Sequence, residues 1–332
     1  MMLIEAGKRS TVIEGDVGAA LKSLADKSVH CCVTSPPYWG LRDYGHAGQL
    51  GLEKTPQEYV ERKVAVFADV RRVLRDDGTL WLNLGDSYAA SGKKGSGGIG
   101  KGTIAGGRGQ STNKGSFYGA ADSLSRHPSD YGLKEKDLVG IPWRVAFALQ
   151  ADGWYLRQDI IWSKPNPMPE SVRDRCTKAH EYIFMLSKSP RYYYDAAAIA
   201  EPISASYAKD NRPDGVLRNR LYENSKLVKA GMVEKWEGTP DDYAVRKTTR
   251  NKHSVWTVTT KSFKGAHFAT FPPDLIEPCI LAGSPKDGVV LDPFAGSGTT
   301  GMVAERHGRS AILIELNPDY TAMIQKRLEL GK

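Results

Sequence analysis

The sequence is poor in cysteine and contains no long apolar run. It has four cysteines and seven histidines among 332 residues, and no two cysteines form a C-x-x-C pair. We therefore expect no metal site and no disulfide framework, as in proteins of a reducing compartment. No run approaches the roughly 18 apolar residues of a membrane span, and the polar first ten residues lack the layout of a signal peptide. The sequence thus predicts a cytoplasmic protein without a membrane partner.

The overall composition excludes several classes of protein. Hydrophobic residues make up 40% of the chain and charged residues 25%. These values are ordinary for a globular protein, and they exclude collagen-like, membrane and wholly disordered chains. Because 332 residues exceed the usual size of one domain, we expect one large α/β domain that carries a smaller insertion.

The positive charge of the chain is concentrated in two segments. The formal net charge is +8; residues 88–136 carry eight Lys or Arg against three acids, and residues 203–264 carry thirteen against seven. Eleven glycines between residues 92 and 119 predict that the first segment is a long mobile loop. Both segments fit solvated loops, and both also fit a surface that binds a polyanion such as nucleic acid. Charge alone leaves the two interpretations open.

Short apolar strands alternate with helical patterns along most of the chain. A Thr-Pro-x-Glu capping box at 55–58 opens one helix, an Asn-Pro pair at 317–318 opens the last, and an Asp-Gly pair at 77–78 predicts a turn. The alternation predicts a doubly wound, parallel α/β sheet. The predicted strands are 11–14, 29–34, 79–84, 155–162, 181–187, 289–292 and 311–315, and further helices are predicted at 18–24, 142–151 and 274–282.

A glycine-rich turn follows the predicted strand at 289–292. We call residues 292–298 the glycine loop; their sequence is Asp-Pro-Phe-Ala-Gly-Ser-Gly. The loop contains the first two glycines of a G-x-G-x-x-G pattern, 296–301, which opens a helix. Glu315 ends the next strand, where an acid can hydrogen-bond ribose hydroxyls. A nicotinamide dinucleotide is therefore one candidate ligand. However, Asp292 at the strand end suits a cationic amine better than a pyrophosphate. A second match at 95–100 follows no strand, and we give it no function.

A proline pair follows the predicted strand at 29–34. Residues 35–38, Ser-Pro-Pro-Tyr, form what we call the Ser-Pro-Pro-Tyr loop. The prolines fix a turn with free carbonyls, and ligands bind outside the carboxyl ends of strands in such sheets. Ser35 Oγ and the Pro36 carbonyl could accept hydrogen bonds from a flat group that bears an NH2, with Tyr38 stacked on it. Taken alone, the same residues also fit a stiff loop with a core tyrosine.

The two loops together resemble the S-adenosylmethionine-dependent DNA amino-methyltransferases. The Ser-Pro-Pro-Tyr loop precedes the glycine loop, as in the circularly permuted β class of that family. The resemblance implies a doubly wound, mostly parallel, Rossmann-like sheet with an inserted basic recognition region. It divides the chain into five parts. They are a catalytic half at 1–87, a Gly/Lys-rich loop at 88–136, a continuation of the core at 137–195, a target-recognition region at 196–264 and a cofactor-binding half at 265–332.

The resemblance also assigns the site residues. Asp16 would reach the cofactor adenine, Asp292 the methionine amine and Glu315 the ribose. The catalytic set is Ser35, Pro36, Pro37 and Tyr38, and the cofactor set is Asp16, Phe271, Asp292, Phe294, Gly296, Gly298, Thr299 and Glu315. Trp162 fits equally well against the substrate base or in the core. Arg42 fits a phosphate contact or a surface salt bridge. Cys31, Cys32 and Cys279 are expected to be buried and inert, which disfavours a cytosine carbon-5 methylase.

The implied activity is methyl transfer to the exocyclic amine of a base flipped out of duplex DNA. Serine at the first position of the loop is more common among the cytosine-N4 enzymes of the family, so we expect cytosine, with adenine-N6 as the alternative. A homodimer and a restriction endonuclease partner are both compatible with the resemblance. Three other interpretations remain: a protein glutamine methyltransferase, a nicotinamide dehydrogenase and a silent nucleic-acid-binding module.

Overall fold

The computed structural model describes residues 2–40, 46, 48–89, 128–203, 249–260 and 271–329. The chain forms two compact units: one consists of Met1–Asp195 together with Ser254–Lys332, and the other of Ala196–His253. Most of the predicted loop at 88–136 and most of the predicted recognition region at 196–264 lie outside the described residues, as does Arg42. The assignments made to these segments stay predictions.

Within the described residues, nine strands form one sheet in the larger unit. Their order across the sheet is β1-β2-β11-β10-β3-β4-β6-β5-β9, and β7 pairs with β8 in the smaller unit. In chain order the strands are β1 (Met2–Ala6), β2 (Ser10–Glu14), β3 (Val29–Thr34), β4 (Leu74–Leu84), β5 (Tyr155–Ser163), β6 (His180–Ser187), β7 (Glu201–Pro202), β8 (Thr249–Arg250), β9 (Val255–Thr257), β10 (Val289–Asp292) and β11 (Ser310–Glu315).

The sheet is mostly parallel, as the resemblance implied. Five neighbouring pairs are parallel, namely β2/β11, β11/β10, β10/β3, β3/β4 and β5/β9. The pairs β1/β2, β4/β6 and β6/β5 are antiparallel. Strand β3 lies in the middle, and Cys31 and Cys32 on it are fully buried, as expected for a strand covered on both faces.

The direction of winding reverses between β10 and β3. From β10 the chain proceeds through a helix to β11 on one side, whereas from β3 it proceeds through a helix to β4 on the other side. Ligands bind at such a switch point, outside the carboxyl ends of the two strands. The carboxyl end of β3 is followed by the Ser-Pro-Pro-Tyr loop, and β10 ends in the glycine loop. The topology therefore brings together two loops that are more than two hundred residues apart.

Six α-helices in the described residues cover the sheet. In α2, Thr55 caps the first turn by accepting a hydrogen bond from Glu58 N (3.1 Å), so the predicted capping box is confirmed. The apolar side of α2 is fully buried, with Tyr59, Phe67 and Val70 among its residues. The helices are α1 (Val17–Ser23), α2 (Pro56–Val73), α3 (Ile141–Ala151), α4 (Pro273–Gly283), α5 (Thr299–Arg306) and α6 (Pro318–Glu329).

The expected Asp-Gly turn at 77–78 is wrong. These residues lie inside β4, which starts directly after α2. Val29 pairs with Leu74 and Cys31 with Thr79, so residues 75–78 bulge out between two paired positions. Their exposed charges are unsuited to the buried ladder, and the bulge lets them reach solvent. The sequence also missed β1, an exposed edge strand, and the three-residue β9, in which only Trp256 is buried.

Candidate active site

A cleft lies at the switch point of the sheet. The open space of this cleft, including the part continuous with solvent, is about 890 Å³. Eight of the twelve predicted site residues line it: Asp16, Ser35, Pro37, Phe271, Phe294, Gly296, Thr299 and Glu315. Pro36, Tyr38, Asp292 and Gly298 are not in the lining. The cleft also contains residues that no motif had marked as part of the site: His46, Gln49, Leu50, Asn317 and Tyr320.

Asp292 joins the two loops from beneath the cleft. Its side chain is 1% exposed, and Oδ1 accepts hydrogen bonds from Thr34 Oγ1 (2.7 Å) and Phe294 N (3.1 Å). Oδ2 accepts from Thr300 Oγ1 (2.6 Å). Burial raises the pKa of this carboxyl to about 6, against the effect of these hydrogen bonds. The structure thus gives Asp292 a role in positioning the loops, while its contact with a methionine amine stays a prediction.

Glu315 lies in the lining at the end of β11. Its Oε2 accepts from Gly296 N (2.8 Å) and its Oε1 from Asn317 N (2.9 Å). Burial raises its pKa to about 7, so the group changes charge near neutral pH. Because each carboxylate oxygen has a second lone pair, Glu315 can still accept hydrogen bonds from ligand hydroxyls.

The predicted catalytic set is held by a chain of hydrogen bonds. Ser35 Oγ donates to the Tyr38 oxygen (3.3 Å), and Tyr38 in turn donates to Glu181 Oε2 (2.7 Å). Burial, followed by the neighbouring Glu181 carboxylate, raises the pKa of Tyr38 well above its usual range. The phenol therefore stays neutral and donates its hydrogen. Tyr59 fixes the same loop by donating to the Pro37 carbonyl (2.8 Å).

The ring of Tyr38 packs closely against the backbone. A Cβ at Gly85 would lie 2.6 Å from Tyr38 Cε2, so only glycine fits there. The tyrosine is half-buried and is not in the cleft lining. Its hydroxyl also lies 3.1 Å from Asn83 Oδ1. Tyr38 is thus fixed in place behind the cleft lining, and stacking of its ring on a base stays a prediction.

Glu181 and Lys164 are site residues that sequence reasoning missed. Lys164 Nζ hydrogen-bonds Glu181 Oε1 and lies 4.3 Å from the centroid of the Trp162 ring. Asn83 Nδ2 donates to Glu181 Oε2 (3.3 Å). Trp162 itself is 4% exposed and donates from Nε1 to the Val258 carbonyl (2.8 Å). Of the two interpretations given above for this tryptophan, the structure therefore supports packing in the core.

A third missed residue is Lys63 on α2. Its side chain is fully buried, and among the described residues its Nζ has no hydrogen-bond partner. The ammonium lies 4.7 Å from the centroid of the Phe294 ring and 4.9 Å from that of Tyr59. Burial lowers its pKa to about 7, although the Glu53 carboxylate opposes the shift. A lysine four residues after Tyr59, on the apolar side of the helix, was the available sequence signal.

The cysteines on β3 and α4 are buried as expected. Cys31, Cys32 and Cys279 are at most 1% exposed, and burial raises the pKa of Cys31 to about 12. These thiols are not nucleophiles at neutral pH. Within the part of the chain that the structure describes, no group of three or more His, Cys, Asp or Glu could hold a metal ion. No described helix is both long enough and apolar enough to cross a membrane.

Comparisons with known proteins identify the family of the chain. A protein-family model described as DNA methylase matches residues 29–326. The type II methyltransferase M.XycI of Xanthomonas campestris pv. cyanopsidis is 46% identical over 96% of this chain and 88% of the relative. M.SmaI of Serratia marcescens is 44% identical over 98% and 93%. These comparisons give no support to the glutamine methyltransferase, the dehydrogenase or the silent binding module.

Solved structures confirm the fold. The PvuII cytosine-N4-specific DNA methyltransferase shares 19% identity over 98% of this chain and 95% of that chain, with a TM-score of 0.60. A protein from Thermus thermophilus, described as a DNA modification methylase and complexed with S-adenosyl-L-methionine, has a TM-score of 0.55, with 22% identity over 96% and 93%. With the family model covering most of its length and both family loops meeting in one cleft, the chain belongs to the N6/N4 DNA methylase family and is an S-adenosylmethionine-dependent DNA methyltransferase.

Proposed function

We propose that the enzyme methylates the N4 amine of a cytosine flipped out of duplex DNA. The observation that carries the proposal is Ser35, which lines the cleft at the first position of its loop and is oriented through Tyr38 onto Glu181. Within the family this serine is typical of cytosine-N4 enzymes. The PvuII enzyme, which has the same fold, is described as cytosine-N4-specific. Adenine-N6 is the alternative.

The cleft fits S-adenosylmethionine. The acids Asp16 and Glu315 in its lining complement the positive charge of that molecule. Glu315 would hold the ribose hydroxyls and Asp16 the adenine, with Phe294, Gly296 and Thr299 against the ligand. When bound, S-adenosylmethionine supplies an electrophilic methyl group on a sulfonium.

The hydrogen-bond chain makes Ser35 an acceptor for the substrate amine. Both hydroxyl hydrogens are committed, that of Ser35 to Tyr38 and that of Tyr38 to Glu181. The lone pairs of Ser35 Oγ therefore remain for an N–H of the base. Hydrogen bonds in series polarise one another, so Glu181 strengthens Ser35 as an acceptor.

The substrate amine is a weak nucleophile because its lone pair is conjugated with the ring. The acceptors increase its nucleophilicity. Bonds from the NH2 to Ser35 Oγ and the Pro36 carbonyl favour a pyramidal nitrogen and localise its lone pair. Positive charge grows on nitrogen during transfer, and the fixed oxygens offset it. Ser35 is too weak a base to keep the proton, which is lost to water afterwards.

The target and partners follow from the same proposal. The relatives are named type II methyltransferases, and we assign this chain to a restriction–modification pair with an endonuclease of the same specificity. We assign recognition of the sequence to residues 196–264, whose basic charge suits phosphate contacts. A homodimer stays a prediction. We place the enzyme in the cytoplasm, where its DNA substrate lies.

The test is transfer of labelled methyl groups to mixed-sequence plasmid DNA. The DNA is digested, its nucleosides are identified by mass spectrometry, and the modified site is mapped by sequencing. N4-methylcytosine is the expected product; N6-methyladenine would overturn the choice of base. Ser35→Ala should lower turnover about 100-fold and leave the affinity for S-adenosylhomocysteine unchanged. Full turnover by this variant would contradict the role of Ser35.

A further inference from the structure

A proline-rich loop leaves the sheet beside the Ser-Pro-Pro-Tyr loop. It comprises residues 164–179, between β5 and β6, and we call it the proline loop. Strand β6 is antiparallel to β4, with Tyr182 opposite Leu84. Because β3 and β4 are parallel, the proline loop starts and ends at the edge of the sheet where β3 ends. That edge carries the cleft.

Met168 extends from this loop into solvent. Its side chain is 86% exposed, the largest exposure among the large hydrophobic residues of the described chain. The surrounding sequence is Lys164-Pro-Asn-Pro-Met-Pro169, and proline on both sides of Met168 restricts the backbone. The loop therefore presents this apolar side chain to solvent on a backbone with little conformational freedom.

The proline loop is anchored at both ends. Asn166 accepts a hydrogen bond from Thr260 N (3.0 Å) and donates to the Thr260 carbonyl (3.2 Å). At the other end, the guanidinium of Arg175 lies 3.9 Å from the centroid of the Tyr88 ring and hydrogen-bonds Glu170 (2.5 Å). Met168 is therefore presented by a loop that is already ordered, which lowers the entropic cost of binding.

In the described part of the chain, one cation of the loop is free to face a polyanion. Lys164 and Arg175 pair with Glu181 and Glu170, and Lys178 Nζ is buried, whereas Arg173 is exposed. An apolar tip with an exposed cation on the same loop is compatible with a DNA duplex, in which stacked bases lie between phosphates. Apolar side chains such as methionine are known to enter base steps and hold them apart.

We propose that Met168 inserts into the DNA at the space that the target base leaves when it flips. The inference rests on the proposed function only in requiring a flipped base, whether cytosine or adenine. A flipped base leaves an unstacked gap, and the unbranched, polarisable methionine side chain can fill an irregular apolar space. Met168 would thus stabilise the open duplex without touching the reacting amine.

The test compares Met168→Ala with the wild-type enzyme on two substrates. One is a short duplex that carries the mapped site, and the other is the same duplex with an abasic position opposite the target base. We expect Met168→Ala to lower kcat/KM about tenfold on the paired duplex and less than about twofold on the abasic duplex, where the base is already free. Val172→Ala, a second exposed apolar residue of the loop, is the matched control and should change neither rate.

A stacking probe reads the same step directly. The emission of 2-aminopurine placed beside the target should rise on binding of the wild-type enzyme, and less with Met168→Ala. Met168→Leu should restore most of the effect. Equal losses on both duplexes would make Met168 an ordinary contact, and no loss on either would remove it from the interface; both results overturn the proposal. If the mapped base is adenine, the same comparison applies, so the two proposals fail separately.

Discussion

Glu181 is the residue on which the orientation of Ser35 depends. It accepts the hydrogen bond from Tyr38, and Lys164 balances its charge from the other side. Both residues are poorly exposed, with side-chain values of 15% and 18%, so removal of one partner leaves the other charge buried. The sequence shows a glutamate before an apolar strand and nothing more. Its place beside Ser35 follows from the antiparallel direction of β6, which no local pattern encodes.

Tyr38→Phe tests this chain of hydrogen bonds. The phenyl ring keeps its packing against Gly85, but Ser35 loses its acceptor and Glu181 loses a donor. We expect single-turnover methylation about 100-fold slower with an unchanged KM for DNA. Tyr182→Phe, on the same strand as Glu181, is the control and should keep its rate.

Glu181→Gln should resemble Tyr38→Phe, and the double variant should be little worse than either, because the residues act in one series. Additive losses would argue for independent roles.

Lys63 makes the free energy of unfolding depend on pH in the neutral to alkaline range. Its folded pKa of about 7 lies below the ordinary value of 10.5 because the side chain is buried. Between these values the unfolded chain binds a proton that the folded chain does not. The free energy of unfolding therefore rises with pH across this window, by up to about 1.4 kcal/mol per pH unit, and this residue contributes no slope below or above it.

Lys63→Met isolates this effect. Methionine has a similar length and can pack against Tyr59 and Phe294. At pH 6 we expect the variant to be more stable than the wild type by about 1–3 kcal/mol, and this gain should shrink as the pH rises towards 10. Urea unfolding at a series of pH values measures it, with the exposed Lys22→Met on α1 as the control. A constant difference across the series would show that the charge of Lys63 is not involved.

Glu315 predicts that cofactor binding depends on pH. The ionised carboxylate is acceptor-only, whereas protonation turns one oxygen into a donor and weakens both as acceptors, and burial raises its pKa to about 7. The affinity for S-adenosylhomocysteine should therefore rise as the pH increases from 6 to 8, with release of protons at the lower pH. Calorimetry in two buffers of different ionisation enthalpy measures both quantities. Glu315→Gln should bind more weakly and without this pH dependence; a variant that kept the dependence would assign it to another group, such as the nearby Asp292.

At the scale of elements, the start of α5 requires glycine for two separate reasons. Gly298 has φ of +76°, and a Cβ there would lie 2.9 Å from Ile324 Cγ2 on α6. Gly132 has φ of +73° but open space around it. Gly132→Ala should therefore cost only the left-handed strain, about 1–2 kcal/mol. Gly298→Ala should cost a further 1–3 kcal/mol or so from overpacking and weaken cofactor binding as well. Equal costs in thermal unfolding would show that Ile324 moves freely aside.

The elements that the sequence predicted well are those with a strong local pattern. Strands β3 and β10 and the helix after the capping box agree closely with the structure, because a buried apolar run or a cap determines each of them locally. Elements determined by their neighbours were missed. The bulge at 75–78 depends on pairing with β3, and β9 is a strand because it pairs with the end of β5. Neither partner is adjacent in the chain.

At the scale of the whole molecule, two short motifs were sufficient to predict the fold, because each lies at the end of a strand at the switch point. The sequence could not supply the remaining lining, since His46, Gln49 and Tyr320 reach the cleft through the path of the chain and belong to no motif. For the same reason it gave no sign of the contacts behind the lining. Asp292 was predicted as a ligand contact, which stays a prediction, and the structure adds that its oxygens accept hydrogen bonds from Thr34 and Thr300 on different sides of the switch point.

Because the cleft is assembled from distant segments, ligand binding should raise the free energy of unfolding of the larger unit. Asp16, Ser35, Phe294 and Glu315 come from both ends of the chain, so a ligand that contacts them all binds only the folded state. S-adenosylhomocysteine at a hundred times its Kd should add about 2.7 kcal/mol to the free energy of unfolding and raise Tm accordingly, whereas NAD should leave Tm unchanged. Glu315→Gln should reduce the shift in proportion to its weaker affinity. A shift produced equally by NAD would mean that the cleft recognises a nucleotide in general, and that the acidic lining does not discriminate against an anionic pyrophosphate.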